Sequence, residues 1–514
     1  MPSHPAPSNP APSKPEIDPE FQALPLAKLA QTALNRARDF EAEHADFRIE
    51  RLRTQRLTLR DGGLLDASED DTLGFCVRVI VDGAWGFAAG VGPTTDAVVR
   101  VTEQAISVAR AARPIVAERI ELADEPAYAD RVWVSDYEVD PFSVPVAEKV
   151  GLLQQWSRDL LAANGVDHVS AVVRQVRENK FYADTHGTST LQQRVRIDPE
   201  LEVYGADSKR GVIDSMRTTA PPAGRGWEYL TGAVHDWAGE LAELPELLAE
   251  KLAAPSVDAG RYDLVIHPSN LWLTIHESIG HATELDRVLG YEANYAGTSF
   301  AKLAGLGNLQ YGSRHLNVTG DRTVTHGLAS IGYDDDGVAT QEWDLIKDGV
   351  LVGYQTDRRM AKMMGWDRSN GCAYADSPGH VPIQRMANVS IRPSPDPTST
   401  SDLIAQVDDG LYVVGDRSWS IDMQRYNFQF TGQRFFEIKN GELRGQVRDA
   451  AYQGTTTEFW GAMDAVGGEE TWMLNGAFNC GKAQPGQVAA VSHGCPSALF
   501  RDISILNTTA EGGR

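Results

Sequence analysis

Two rhythms of apolar and polar positions run along the chain. LAKLAQTALNRARDFEAEH (residues 26–44) and TTDAVVRVTEQAISVARAAR (94–113) space their apolar residues three and four apart. That spacing predicts amphipathic helices, the second capped by Thr94 or Thr95. FRIERLRTQRLTLRDGGLL (47–65) and TLGFCVRVIVDGAWGFAAG (72–90) alternate instead, with Asp61-Gly62-Gly63 and Asp82-Gly83 as turn chemistry, and predict paired strands. A helix over about 145–164, strands over about 168–183 and 189–205, and a long helix over about 226–253 complete the first half. Helices and strands come in blocks, so the expected class is α+β, an antiparallel sheet with long helices, rather than a doubly wound sheet.

APSVDAG (254–260) breaks the pattern with Pro255 and Gly260 and predicts a linker. A strand, YDLVIH (262–267), follows and leads into a helix. Beyond about residue 330 the chain alternates with Asp-Gly and Asn-Gly turns. This predicts a C-terminal β-rich domain, an antiparallel sheet or barrel, with that helix at its start. The expected domains are therefore 25–255 and 256–514. Residues 1–24 are rich in Pro, Ser and Ala, too poor in apolar side chains to bury a core, and predict a disordered tail.

Charge narrows the function. Acidic residues outnumber basic ones, 71 to 48, for a net charge of −23. Such a surface repels phosphate backbones, so direct nucleic-acid binding is not expected. No apolar run approaches the ~18 residues of a membrane span, and the N-terminus has no apolar signal core. A cytoplasmic protein without membrane contact is expected. The four cysteines, Cys76, Cys372, Cys480 and Cys495, form no framework and read as reduced thiols.

The candidate chemistry lies in LTIHESIGHATELD, residues 273–286. His276, Glu277 and His281 spell H-E-x-x-x-H, one residue longer than the H-E-x-x-H of zinc proteases. On a regular helix, positions i and i+4 differ by about 40° and can share a metal, whereas i and i+5 differ by about 140°. The extra residue therefore demands a widened or interrupted turn at 276–281, and Gly280 would ease it. Glu277 would act as general base, taking a proton from zinc-bound water and handing it to the leaving amine. Two histidines need a third ligand. Glu284, Asp286, Cys480 and Cys495 (beside His493) are candidates among which spacing does not choose.

Several ordered blocks resemble the TldD/PmbA (TldD/TldE) family. HESIGHATELD resembles its H-E-x-x-x-H block with an acidic pair, and FNCGKAQPGQ its Cys-Gly-Lys block. LGFCVRVIVDGAWGFAAG, YDDDGVATQEWDLIKDGVLVGYQTD, PIQRMANVSI and DDGLYVVG match further blocks in order. The resemblance implies a zinc metallopeptidase of the active TldD-like type. His276, His281 and Cys480 would hold Zn2+, and Glu277 would be the base. It also implies a homodimer, or a heterodimer with a TldE-like paralogue, enclosing a chamber for short or unfolded peptides. Two blocks depart from the family pattern, Ser369-Asn370-Gly371-Cys372 and SHGCPSA, and bear on substrate-facing loops.

Four other features are weighed. Arg385 is a candidate to hold a substrate carboxylate or Glu277, against an ordinary surface salt bridge, and Asn388 to fix a substrate backbone, against capping a turn. His267 reads as a satisfied strand-end histidine. The acidic run YDDDG (333–337) lacks the spaced ligands of a calcium loop and reads as a turn. Competing functions are a non-catalytic regulatory partner and a metal-dependent amidohydrolase on a non-peptide substrate.

Overall fold

A computed structural model describes residues 15–232 and 234–511. Helix α1 (Leu26–Asp39) precedes strands β1 (His44–Arg60), β2 (Gly63–Val81) and β3 (Ala84–Val91), and then helix α2 (Thr95–Ala112). Thr94 caps α2, its side chain accepting the Ala97 N–H. After β4 (Arg131–Val134) and α3 (Val146–Leu161) come β5 (His168–Asp184), β6 (Ser189–Asp207), β7 (Val212–Arg217) and α4 (Trp237–Ala253). The strands form one sheet in the order β3-β2-β1-β5-β6-β4, with β7 on β6, antiparallel except where β4 joins β6. The α+β class and the antiparallel sheet agree with the sequence pattern.

Alternation along β1 sends Phe47 and Ile49 to one face, where they meet α1 and α2 in a buried cluster. Leu57 and Leu59 lie further along, in a second cluster with α3 and α4. Two expectations are corrected here. The long helix over 226–253 is two helices, Glu228–Thr231 and α4, parted after Gly232. The second concerns the expected tail over residues 1–24. Residues 1–14 lie outside the described residues, but 15–24 are folded. Asp18 caps a short helix, Pro19–Gln22, and Phe21 is wholly buried in the α1 cluster. Burying one such side chain is worth about 1.5–3 kcal/mol, enough to pin a short segment that composition assigns to disorder.

The second half begins with β8 (Gly260–Ile266) and α5 (Pro268–Ile275). His267 caps α5 and Pro268 takes its first position, where a missing N–H costs nothing. Then follow β9 (Asp409–Ile421), β10 (Asn427–Lys439), β11 (Glu442–Val447), β12 (Ala450–Thr455), β13 (Met463–Val466), β14 (Met473–Lys482), β15 (Gln487–Cys495) and β16 (Ala498–Asn507). Pairing runs β9-β8-β16-β12-β10, and β10 also pairs with β9, so five strands close on themselves. The ring is mixed, since β8 and β9 run parallel. β14 and β15 form a separate two-stranded ribbon. Helix α5 is buried on every face, its polar Ser269, Asn270 and Thr274 included. Asn270 donates to the carbonyls of Gly415 and Thr431 (3.0 Å each) and accepts from Tyr452 Oη (2.8 Å), which ties α5 to β9, β10 and β12. This fixes the helix whose end carries His276.

The YDDDG run is a turn, as expected, with Gly337 at φ +77°. It also docks the two halves together. Asp335 accepts from Arg48 of β1 (3.1 Å) and Lys180 of β5 (3.0 Å), and Asp336 from Arg78 of β2 (2.6 Å).

Candidate metal centre

Helix α5 does not continue regularly into the motif. His276–Gly280 form a π-helical turn, in which the His281 N–H reaches the His276 carbonyl, and a 3₁₀ turn follows over His281–Thr283. The widened turn demanded by the H-E-x-x-x-H spacing is present. It absorbs the extra residue and brings the imidazoles together, with ring centroids 4.7 Å apart. The expected role of Gly280 needs correction. Its backbone is helical, φ −53° and ψ −60°, so it supplies no special conformation. A Cβ there would lie 2.5 Å from Met386 Sδ and 2.9 Å from Met386 Cε, so the end of that buried side chain would have to shift. Gly280→Ala should therefore lower stability by about 1–3 kcal/mol through overpacking and loosen the His281 position. Denaturant unfolding and zinc titration would check both effects.

Cys480 arrives from β14. The ribbon pairing slips between Ala477 and Cys480, a bulge of the kind that re-aims a side chain beside a site. The Cys480 Sγ lies 3.6 Å from His281 Nε2. One donor atom from each of His276, His281 and Cys480 lies within 4.8 Å of the others, and all three residues are buried. Among the described residues this is the only such group.

The rings are held from behind in the tautomer a metal requires. The Val389 carbonyl accepts from His493 Nδ1 (2.8 Å), which leaves His493 Nε2 as an acceptor. His276 Nδ1, 2.7 Å away, therefore carries the proton, and its Nε2 lone pair is free. His281 Nδ1 donates to Glu284 Oε2 (2.8 Å), which frees its Nε2 in the same way. Such outer partners orient metal-binding histidines and raise their basicity. Burial holds His276 and His281 below the usual histidine range, in the neutral form. Burial pushes the Cys480 thiol up, and only a charged His281 ring, together with Arg385, would bring it below its ordinary value. Two nitrogens with free lone pairs and a sulfur beside them, with room in the cleft for a further ligand, are a donor set that fits zinc.

Glu284 and Asp286 are not in the donor group. Lys482, wholly buried, binds both, Glu284 Oε1 at 3.0 Å and Asp286 Oδ1 at 2.8 Å, and also the Gln384 carbonyl at 2.8 Å. The acidic pair of the motif and the lysine of the Cys-Gly-Lys block are thus one cluster supporting His281. Cys495 lies apart, its sulfur 3.8 Å from the Pro268 carbonyl. His267 is satisfied as a helix cap, with burial lowering it to about 4. Arg385 and Asn388, candidates for touching substrate, are corrected. Arg385 is buried and donates to the carbonyls of Cys480 and Gln487, which anchors the ribbon. Asn388 is wholly buried and bonded to Ala329, Ser492, Asp321 and Ser330, with nothing left to offer a ligand.

Glu277 faces a cleft of about 450 Å³ that is also lined by His276, His281, Cys480, Trp272 and Arg425. Its Oε2 accepts from Arg425 Nη1. Sequence reasoning missed Arg425, and named His493 only as the neighbour of Cys495 and Lys482 only within the Cys-Gly-Lys block. Their neighbourhood was visible only in part, because Lys482 stands two residues from Cys480 and His493 two from Cys495.

Comparison with known proteins gives a consistent result. A model described as the PmbA/TldA metallopeptidase C-terminal domain matches residues 259–507, and one described as PmbA/TldA metallopeptidase domain 1 matches 45–109. Together they cover more than half of the chain. A metalloprotease of Methanothermobacter thermautotrophicus is 27% identical over 470 residues, 91% of this chain and 96% of that protein. A zinc metalloprotease TldD homologue of Saccharolobus solfataricus is 26% identical over 266 residues, 52% of this chain and 56% of that one. Among solved structures, a Thermotoga maritima protein described as a modulator of a DNA gyrase superposes with a TM-score of 0.73 at 16% identity, covering 93% of this chain and 100% of that one. TldE from Thermococcus kodakarensis gives 0.69 at 17% identity, covering 93% and 99%. At such identities the structural likeness speaks for the fold.

Proposed function

The chain belongs to the PmbA/TldD metallopeptidase family, and on that premise we propose that it is a zinc-dependent peptidase for short or unfolded peptides. In this reading His276, His281 and Cys480 hold the metal and Glu277 is the general base. The observation that carries it is the buried donor triad, with both imidazole tautomers fixed from behind and a carboxylate beside the first histidine. Zinc, when bound, supplies a Lewis acid that polarises a carbonyl and acidifies a water.

The chain's own residues do the remaining work. Glu277, held by Arg425, accepts the proton of the attacking water and delivers it to the departing amine. His493 and Glu284 keep the two Nε2 lone pairs turned toward the cluster. Access supports the substrate class. His276 and Cys480 are only 4% and 5% exposed at the wall of a cleft, which favours an extended chain over a folded protein surface. Among the described residues β14 pairs only with β15, and Asn475–Gly481 line the cleft. That free edge supports peptide capture by strand addition, which uses main-chain hydrogen bonds and little side-chain specificity.

The proposal includes a dimer, with itself or with a TldE-like paralogue, that encloses the cleft as a chamber. It also includes a cytoplasmic location and a domain division near residue 255. Among the described residues no helix is long and apolar enough to cross a membrane.

The test is peptide cleavage by chelator-stripped and zinc-restored protein, alone and with the paralogue, on an extended fluorogenic peptide and on a folded protein. Cleavage should vanish with the metal, return with zinc and be confined to the extended peptide. Cleavage that survives complete metal removal would contradict the reading. So would an inert zinc-loaded protein, alone and with the paralogue.

A further inference from the structure

Glu277 is half of a buried ion pair. Its partner Arg425 is 14% exposed and Glu277 itself 7%. Arg425 comes from the turn between β9 and β10, which is built to hold it. Its backbone is left-handed, φ +63°, a conformation such side chains rarely adopt. Asp422 braces the turn. Its Oδ1 accepts the N–H groups of Gln424 (3.0 Å) and Tyr426 (2.9 Å), and its Oδ2 accepts the N–H (3.1 Å) and Nδ2 (2.6 Å) of Asn427. Thr456 Oγ1 donates to the Arg425 carbonyl at 2.8 Å. The N–H groups of Thr298 and Phe300 bind the carbonyls of Met423 (2.7 Å) and Gln424 (2.9 Å). A strained residue so fully braced is a pointer to function.

A second observation concerns the unspent donors of Arg425. Its Nε is buried without a partner, and Nη2 has one long bond, 3.3 Å, to the Ala296 carbonyl. Buried donors are normally satisfied. This guanidinium keeps capacity in reserve at the wall of the cleft that holds the donor triad.

We propose that Arg425 is a second catalytic residue, which transfers its ion pairing from Glu277 to the oxygen of the scissile carbonyl as the peptide is hydrolysed. The proposal rests on the peptidase reading above. When water attacks, its oxygen bonds to the carbonyl carbon, and its proton goes to Glu277. The π pair of the carbonyl moves onto the carbonyl oxygen. One negative charge disappears from Glu277 as another appears on that oxygen, so the net charge of the site is constant. A cation buried beside a neutralised partner is strongly disfavoured, and the new oxyanion removes that penalty. On collapse the carbonyl re-forms, the C–N bond breaks, and the amine nitrogen takes the proton from Glu277. Arg425 then pairs with the carboxylate again.

The test compares wild type with Arg425→Ala, Arg425→Gln and Arg425→Lys. Four quantities are read: kcat, KM, zinc content, and affinity for a peptide phosphonate whose tetrahedral oxygens imitate the oxyanion. Arg425→Ala and Arg425→Gln should lose about 10²–10³-fold in kcat, with KM and zinc content unchanged, and phosphonate affinity should fall in parallel. Arg425→Lys, which keeps the charge, should recover part of both. If Arg425→Ala does not fold, the Gln and Lys variants carry the comparison. Unchanged kcat, a loss carried by KM or zinc content alone, or undiminished phosphonate binding would overturn the proposal. If the wild-type protein cleaves nothing with zinc bound, the parent reading fails and this one falls with it.

Discussion

Glu277→Gln should give a folded protein that retains zinc and has lost peptide cleavage, with kcat down by about 10²–10⁴-fold. Glutamine keeps the size of the side chain and an oxygen that Arg425 can still bind, so the π turn and the cleft should stand. Glu277 does not belong to the donor group of His276, His281 and Cys480, so removing its charge should not release the metal. What disappears is the cleft carboxylate next to His276 in the chain, the proposed acceptor of the water's proton. The same variant separates the two classes of function. A regulatory partner without catalysis has no use for a buried carboxylate paired with a strained arginine. Cleavage that continues in this variant would end the general-base assignment. Loss of zinc would make Glu277 a ligand instead.

The second large effect is expected at Cys480. A serine hydroxyl gives up its proton far less readily than a thiol and is a poorer zinc ligand. Losing an outer-shell partner of a metal site costs roughly 10–100-fold in affinity, and loss of a ligand should exceed that. Cleavage should disappear with the metal, and the protein should no longer gain thermal stability when zinc is added, because a ligand stabilises only what it binds. The backbone should hold, since the bulge in β14 and the bond from Arg385 to the Cys480 carbonyl do not involve the sulfur.

Much of this was legible in the pattern of residues, for identifiable reasons. The spacing of His276 and His281 is a statement about angle, and a widened turn is the local way to satisfy it, so the π turn followed from counting. The reason for Gly280 did not, because Met386 approaches from over a hundred residues away and no local rule encodes that contact. The alternation of β1 predicted a strand, and Phe47 and Ile49 share its core face. It could not tell that Arg48 and Glu50, on the other face, would also be buried, at 1% and 0% exposure. Period-two patterning distinguishes faces, but it does not say what covers the polar one. Here the cover is the acidic turn Asp334–Asp336, which sequence reading recognised as a turn without its ion-pair role.

The candidate site divides along the same line. His276, Glu277 and His281 are near neighbours in the chain and were read from it directly. Cys480 came only through family resemblance, since a lone cysteine has no spacing to argue from. Arg385 and Arg425 show the limit most clearly. Each is an arginine in a β-rich region, and nothing local separates the one that anchors the ribbon from the one that meets Glu277. That difference lies in the closure of β9 and β10 around the Asp422 turn, a property of the tertiary fold.

The most direct test of the metal centre is zinc stoichiometry in three purified proteins, the wild type, Cys480→Ser and Cys495→Ser. The Cys495 sulfur lies against the Pro268 carbonyl, away from the histidines, so the wild type and Cys495→Ser should each carry one zinc per chain. Cys480→Ser should carry almost none. Zinc lost from Cys495→Ser and kept in Cys480→Ser would contradict the site.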